Sequence, residues 1–223
     1  MTELDLIVDL HKYTERQGPG SKADTLKALE FCQLDQDKKV TLADMGCGSG
    51  GQTLTLAEKL NGKIIAVDLF PQFLEELKIR AKKAGLTNKI FTHEASIDKL
   101  NFEKETLDVI WAEGSIYNIG FAKGITYWKQ FLKKSAYLVL SEITWTSNSR
   151  PKEIEEFWNE AYGEIDTASA KVAVLEKNGF TLKAYFSLSQ ESWMKYYEAL
   201  EQSFAAFLDR NNHSDLAKKI VED

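Results

Sequence analysis

The sequence predicts an α/β fold in which a doubly wound, mostly parallel sheet carries helices on both faces. Short apolar runs alternate with amphipathic runs along most of the 223 residues. The apolar runs are continuous, which is typical of strands buried on both faces. One of these runs passes through a glycine-rich turn directly into a helical pattern, an arrangement found at the ligand-binding edge of such sheets.

Six segments are predicted as strands because each has a core of consecutive apolar or β-branched residues between helical patterns. They are Val40–Ala43, Lys63–Asp68, Lys89–His93, Leu107–Ala112, Ala136–Ser141 and Phe180–Leu188. In a parallel sheet the carboxyl ends of the strands share one edge, so the residues that follow them converge in space.

Helices are predicted before and between the strands, with Ser21 as the cap of the second and Pro71 in the first turn of the fourth. The predicted segments are Leu4–Tyr13, Ser21–Cys32, Thr53–Leu60, Pro71–Gly85, about Ile125–Leu132, 151–178 and Ser192–Phe207.

The composition is that of an ordinary globular protein, with 43% hydrophobic and 28% charged residues. The net charge of −6 disfavours nucleic acid as a main partner. Cys32 and Cys47 form neither a disulfide framework nor a metal pattern, and no metal site is predicted. Without a signal-peptide pattern or a membrane-spanning run, a cytoplasmic location is expected, as a monomer or a homodimer.

The segment Asp44–Gly51 is the strongest functional signal. Its glycines let the backbone approach a ligand, and the start of the following helix offers unpaired N–H groups. The spacing fits two fingerprints. Gly46, Gly48 and Gly51 match G-x-G-x-x-G, whereas the first two with Gly50 match G-x-G-x-G. The glycines alone therefore do not identify the ligand.

Two acidic residues narrow the choice of ligand. Asp68 lies 20 residues after Gly48, where its carboxylate can accept hydrogen bonds from a ribose. Asp44 precedes the loop and would repel the pyrophosphate of a dinucleotide. A zwitterionic amino acid joined to a ribose, as in S-adenosylmethionine, satisfies both acids. A nicotinamide-dependent oxidoreductase, disfavoured by Asp44, and a turn that binds nothing remain alternatives.

With these motifs, the sequence resembles class I S-adenosylmethionine-dependent methyltransferases, especially the small-molecule branch related to ubiquinone and menaquinone biosynthesis. The resemblance rests on Asp44–Gly50, Val67–Asp68 and Leu100–Trp111, and it covers most of the chain from Arg16 onward. It implies a Rossmann-like fold and methyl transfer by in-line displacement to an unidentified small molecule. A noncatalytic S-adenosylmethionine-binding protein is the main alternative.

The resemblance also implies which residues contact the cofactor. Asp44 would lie near its amino-acid end, Asp68 would accept from the ribose, and Leu69 would cover one face of the adenine. Ser96 stands where this family usually has an acid, so a hydroxyl or backbone group would serve the adenine there. The predicted cofactor residues are Tyr13, Gly18, Asp44, Gly46, Cys47, Gly48, Asp68, Leu69, Ser96, Ile97 and Glu113.

Arg16–Ser21 resembles the N-terminal loop that covers the cofactor in some of these enzymes, although a plain helix–helix turn is an alternative. Residues 1–223 are expected to form one methyltransferase domain. Within it, residues 1–35 would form the N-terminal helices and the covering loop, and residues 145–178 a helical, lid-like insertion over the acceptor. The family's final antiparallel strand has no counterpart after Phe207.

Three residues are predicted at the reacting end. Methyl transfer depends mainly on alignment and exclusion of water, and it needs a base only if the acceptor atom keeps its proton. Glu113 follows the fourth strand and could face the sulfonium or act as the base, or it could simply be an acid at a helix start. Tyr117 would orient the substrate, and His11 is a second possible base.

Overall fold

The computed structural model describes residues 2–222. Its centre is a five-stranded sheet whose strands are β1 (Val40–Met45), β2 (Gly62–Asp68), β3 (Ile90–Glu94), β4 (Leu107–Glu113) and β5 (Leu132–Ser141). All pairs are parallel, in the order β3-β2-β1-β4-β5. The predicted doubly wound fold is confirmed. Since the strand order reverses between β1 and β4, a crevice opens at their carboxyl ends.

The helices connect and cover these strands. They are α1 (Glu3–His11), α2 (Lys22–Phe31), α3 (Gly51–Lys59), α4 (Pro71–Lys83), α5 (Phe121–Trp128), α6 (Lys152–Ala161), α7 (Ala168–Lys177), α8 (Gln190–Arg210) and α9 (Asp215–Glu222). Ser21 caps α2 as predicted, because its hydroxyl accepts from the Asp24 amide. Two short 3-10 helices, at Ile116–Ile119 and Lys129–Phe131, flank α5.

The sheet separates two hydrophobic layers, since neighbouring residues of one strand face opposite sides. Helices α2, α3 and α4 cover the side that contains Leu42, Leu56, Ile64, Leu77 and Val109. Helices α5 and α7 cover the side that contains Ala43, Met45, Ile110, Ile125 and Trp128.

A third cluster joins the two ends of the chain. Leu6 and Leu10 of α1 pack with Phe207 of α8 and Ala217 of α9. This packing holds the N-terminal helix against the C-terminal helices and brings His11 beside α8. None of the helices within residues 2–222 is long and apolar enough to cross a membrane.

The predicted strand Phe180–Leu188 is wrong. This segment pairs with no strand among residues 2–222. Phe180 packs in the layer of α5 and α7, whereas the Phe186 ring lies 6.4 Å from that of Phe31 on α2. The segment therefore joins one helical layer to the other, and side-chain packing takes the place of strand pairing.

The predicted helical region 151–178 is also corrected, because the structure divides it into α6 and α7. Between them, a two-residue strand β7 (Asp166–Thr167) pairs in parallel with β6 (Thr144–Trp145). Helix α5 ends at Trp128, and β5 begins at Leu132, where a helix had been expected to end. The described residues contain no antiparallel strand beside β5, in line with the expected lack of a final strand.

Candidate functional site

The glycine loop lies at the carboxyl end of β1 and turns the chain into α3. Gly46 has a φ of 72° and Gly48 a φ of 54°, backbone conformations that L-residues rarely adopt. A side chain at Gly46 would collide with Ser115, whose hydroxyl donates to the Met45 carbonyl at 2.5 Å. A side chain at Gly48 would collide with Gln17. Only glycine allows these close approaches.

The Asp68 carboxylate is built into this loop. One oxygen accepts from the Gly48 amide at 2.8 Å, and the other accepts from the Phe70 amide at 3.0 Å. Burial raises the pKa of Asp68. Each oxygen keeps a second lone pair, so the carboxylate can accept further hydrogen bonds. Leu69, which follows it, is 54% exposed and presents an apolar surface next to the acid.

Asp44 lies at the loop but inside the protein. Its oxygens accept from the Thr53 hydroxyl at 2.6 Å and from the Gln52 amide at 3.3 Å. Burial raises its pKa to about 7. Asp44 thus anchors the first turn of α3 behind the loop.

The chain that precedes α2 closes over the loop. The Gln17 side chain donates to the Ser49 hydroxyl at 2.8 Å and accepts from the Ser49 amide at 2.8 Å. Arg80 of α4 donates to the carbonyls of Tyr13 and Thr14 at 3.1 Å each. The predicted covering segment therefore contacts the glycine loop rather than forming a free turn.

Glu113, the last residue of β4, forms what we call the Arg16–Glu113 cluster with Arg16, Thr25 and Trp111. Arg16 Nη1 lies 2.5 Å from Glu113 Oε2. Glu113 Oε1 accepts from Trp111 Nε1 at 2.9 Å and from the Thr25 hydroxyl at 2.8 Å. Arg16 Nε is buried and has no hydrogen-bond partner among residues 2–222. The cluster thus satisfies both oxygens of Glu113 and leaves a donor on Arg16.

His11 faces a group of tyrosines. Its Nδ1 lies 2.9 Å from the Ile7 carbonyl, and its Nε2 lies 3.4 Å from the Tyr196 hydroxyl. A carbonyl beside Nδ1 requires the proton there, so Nε2 is the acceptor. Burial lowers the pKa of His11. Burial, followed by the Tyr197 and Tyr117 hydroxyls, raises the pKa of Tyr196.

A second charged group, the Glu142 cluster, consists of Glu142, Tyr162 and Lys171. The Tyr162 hydroxyl donates to Glu142 Oε1. Lys171 Nζ lies 2.8 Å from the Tyr162 hydroxyl and 3.4 Å from Glu142 Oε1. Glu142 Oε2 is buried and has no hydrogen-bond partner among residues 2–222. Here the free atom is an acceptor.

The remaining predicted residues lie in two places. Ser96 donates to the Asp98 carboxylate at 2.6 Å, and the buried Ile97 accepts through its carbonyl from Trp128 Nε1 at 2.7 Å. Both follow β3, whose next amide, that of Ala95, donates to the Asp68 carbonyl at 3.0 Å, so they lie on the Asp68 side of the crevice.

The other predicted cofactor residues lie in the covering segment and in the glycine loop. The Tyr13 ring packs under Arg210. Tyr13 therefore contacts α4 through its backbone carbonyl, which accepts from Arg80. Gly18 has open space around it, and Cys47 is buried in the loop with a pKa raised by burial. Cofactor contacts from these residues stay predictions.

Several residues of this region were not predicted. They are polar side chains whose partners lie far away in sequence, namely Arg16, Gln17, Thr25, Ser49, Arg80, Ser115, Glu142, Tyr162, Lys171 and Tyr196. Lys171 carries a sequence signal that could have been used, because it is the only charged residue between Ala168 and Leu175 in α7. Arg16 and Gln17 carry no sequence signal other than their position directly before the Gly-Pro-Gly turn.

A comparison with known protein families agrees with this arrangement of the site. Residues 42–135 match the model of the methyltransferase domain family. The chain contains a methyltransferase domain. The match runs from β1 through the glycine loop and β4 into β5, and the prediction of a class I S-adenosylmethionine-dependent methyltransferase is confirmed.

Solved structures show the same fold as this methyltransferase. An S-adenosylmethionine-dependent methyltransferase from Geobacter sulfurreducens, in complex with S-adenosylhomocysteine, superposes with a TM-score of 0.84 at 16% identity, over 97% of this chain and 86% of that one. One from Thiobacillus denitrificans, in the same complex, gives 0.81 at 19% identity, over 99% and 88%. A curated relative, the probable cobalt-precorrin-6B C(15)-methyltransferase of Methanocaldococcus jannaschii, is 24% identical over 169 residues, 74% of this chain and 85% of the relative.

Proposed function

We propose that this methyltransferase binds S-adenosylmethionine at the glycine loop and transfers its methyl group to a small molecule. The observation that carries the proposal is the buried, unpartnered Arg16 Nε beside the loop. A buried donor without a partner is costly, and the carboxylate of the cofactor's amino acid would satisfy it. The cofactor supplies a methyl group on a sulfonium, and the residues of the chain supply alignment and a dry pocket.

At the ribose end, Asp68 is the proposed partner of the two hydroxyls. The Gly48 and Phe70 amides hold its carboxylate in place, so little conformational freedom is lost when it binds. Leu69 offers an apolar surface for the adenine, and Ser96 and Ile97 supply polar and apolar groups on that side. The backbone at Gly48 and the fixed carboxylate of Asp68 fit a ribose that lies against the loop.

At the amino-acid end, Arg16 is the proposed carboxylate ligand, and Glu113 is the residue that positions it. Both oxygens of Glu113 are already hydrogen-bonded, and Arg16, Trp111 and Thr25 are the donors. With both oxygens occupied in this way, the Glu113 carboxylate holds the Arg16 guanidinium in a fixed orientation. Asp44 lies behind the loop, and an ammonium group bound there would favour its negatively charged form.

At the reacting end, the proposal assigns orientation to Tyr117 and proton acceptance to His11. Tyr117 is 48% exposed and lies in the short helix after Ser115, next to the loop. His11 has its acceptor nitrogen toward Tyr196, and its lowered pKa keeps the imidazole neutral near pH 7. In-line displacement then needs only an acceptor held between these side chains and the cofactor.

Titration calorimetry with S-adenosylmethionine, S-adenosylhomocysteine and NAD tests the proposal. Both adenosyl ligands should bind the wild-type protein and NAD should not. Asp68→Ala should weaken S-adenosylhomocysteine binding by about 1–3 kcal/mol, the scale of lost charge-assisted hydrogen bonds. The control Asp166→Ala, on an exposed acid outside the crevice, should bind normally. NAD binding without either adenosyl ligand would favour the oxidoreductase alternative.

A further inference from the structure

The Glu142 cluster has no part in the cofactor site proposed above. Its two charged side chains are almost fully buried, with 3% exposure for Glu142 and 8% for Lys171. Such a pair is expensive to desolvate, and a free carboxylate oxygen adds to that cost. Because Tyr162 and Lys171 both reach Oε1, Oε2 is left as a buried acceptor with no partner among residues 2–222. The chain keeps an unsatisfied group where an apolar one would be more stable.

The cluster lies at the same edge of the sheet as the cofactor residues. Glu142 directly follows Ser141, the last residue of β5. The Ser141 carbonyl and hydroxyl accept from the Gly114 amide at 3.3 Å and 2.9 Å, so Glu142 is held one strand away from Glu113. The Tyr162 ring lies edge-on to that of Tyr117, with 6.0 Å between centroids. The free oxygen is thus beside the residues proposed for the reacting end.

The surroundings of the cluster favour a positively charged or N–H-bearing ligand. Glu164, whose carboxylate accepts from the Phe121 amide at 2.7 Å, adds a second negative charge next to Glu142. Lys171 is the cation, and its Nζ lies 4.3 Å from the Phe121 ring centroid and 4.7 Å from that of Tyr162. Two carboxylates and one ammonium leave an excess of negative charge among aromatic rings, whose faces attract cations.

We propose that the Glu142 cluster binds the methyl acceptor, and that this acceptor is a small amine whose N–H donates to Glu142 Oε2. The inference rests on the proposed methyl transfer. A carboxylate-bearing acceptor group would be repelled by the unpaired oxygen, and a neutral hydroxyl would leave the excess negative charge uncompensated.

In the reaction, the bound ammonium first gives one proton to Glu142 Oε2, and the neutral amine nitrogen then donates its lone pair to the methyl carbon. The nitrogen–carbon bond forms as the carbon–sulfur bond breaks, and the electron pair of that bond stays on sulfur, which becomes a neutral thioether. The methylated nitrogen carries a positive charge and leaves as an ammonium product, and Glu142 Oε2 passes the proton that it took to solvent. Burial raises the pKa of Glu142, which suits it to take this proton.

The test uses three probes of equal length: butylamine, butanol and butyrate. Each is titrated at millimolar concentration into the full-length protein saturated with S-adenosylhomocysteine, and binding is followed by two-dimensional amide NMR. Butylamine should bind about tenfold more tightly than the other two. Glu142→Gln, which keeps the shape of the side chain, should abolish this preference. Glu156→Gln, on an exposed ion pair of α6, is the matched control and should retain it.

The outcomes separate the two proposals. A wild-type protein that binds no S-adenosylhomocysteine would count against the methyltransferase proposal itself. A protein that binds it but treats the three probes alike, or a Glu142→Gln variant that keeps the amine preference, would overturn the inference alone. If Glu142→Gln fails to fold, Glu142→Asp takes its place. It should weaken butylamine binding at unchanged S-adenosylhomocysteine affinity, and unchanged butylamine binding would likewise overturn the inference.

Discussion

Two buried carboxylates lie side by side at the crevice, at the ends of adjacent strands. Glu113 ends β4 and Glu142 follows β5. Each pairs with a cation from a distant part of the chain, Arg16 in the first cluster and Lys171 in the second. Each also accepts from an aromatic side chain, the indole of Trp111 or the hydroxyl of Tyr162. The two clusters are built alike.

They differ in which atom is left free. Among residues 2–222, the buried side-chain polar atoms without a hydrogen-bond partner are Arg16 Nε and Glu142 Oε2. The first cluster therefore offers a donor and the second an acceptor. A donor selects an anion, such as an amino-acid carboxylate, whereas an acceptor selects an N–H group. The same construction thus prepares two neighbouring parts of the crevice for ligands of opposite character.

The largest effect is expected from Lys171→Met, which leaves Glu142 buried without its cation. The free energy of unfolding should fall by about 3–5 kcal/mol, the cost of breaking a buried pair from one side. Urea denaturation measures this change. Since Lys171 lies outside the Arg16–Glu113 cluster, S-adenosylhomocysteine should still bind the folded variant with unchanged affinity. A loss of that affinity would show that the two clusters do not act separately.

Glu113→Gln is expected to cost less, about 2–3 kcal/mol of unfolding free energy, because the amide keeps part of the hydrogen bonding to Arg16. The matched control is Glu58→Gln. That change removes an exposed pair with Lys22 and should cost about 0–1 kcal/mol.

Ligand binding decides the role of Glu113. If it positions Arg16, Glu113→Gln should weaken S-adenosylhomocysteine binding. If it is instead a base, turnover should fall at unchanged affinity.

Arg16→Lys tests the free donor in the first cluster. Lysine keeps a charge for Glu113 but lacks the Nε–H group of the guanidinium. S-adenosylhomocysteine should bind about tenfold more weakly, a loss of about 1.4 kcal/mol. Methylthioadenosine, which has no amino-acid carboxylate, should bind wild type and variant equally. An equal loss for both ligands would place Arg16 elsewhere than at the carboxylate.

The smallest effect concerns His11 and pH. Burial lowers its pKa in the folded state, so the unfolded chain takes up the proton first as the pH falls below about 6.5. The contribution of His11 to stability is therefore present above that pH and is lost below it. His11→Gln should reduce the acid sensitivity of thermal unfolding between about pH 5 and 7. His213→Gln, an exposed histidine, is the control. A similar change in both variants would contradict the burial of His11.

Much of the glycine loop and its surroundings could be predicted from the sequence, because the signals there are local. The positive φ values at Gly46 and Gly48 require glycine, and Asp68 ends an apolar run that only a buried strand explains. The Glu142 cluster has no such signal. Glu142 is one acid among many until Lys171, 29 residues later, lies beside it. Tyr162 falls in a stretch predicted as continuous helix, so its hydroxyl could not be placed.

The sequence by itself determined the alternation of strands and helices, the glycine turn at the carboxyl end of β1 and the position of Asp68 beside it. These features depend on periodicity and glycine spacing, which act within a few residues. Only the tertiary structure decided whether Phe180–Leu188 would pair as a strand, because a strand needs a partner backbone that no local pattern supplies. It also decided the partner of Glu113. Arg16, 97 residues away, reaches that carboxylate only because helix packing brings the N-terminal segment over the sheet.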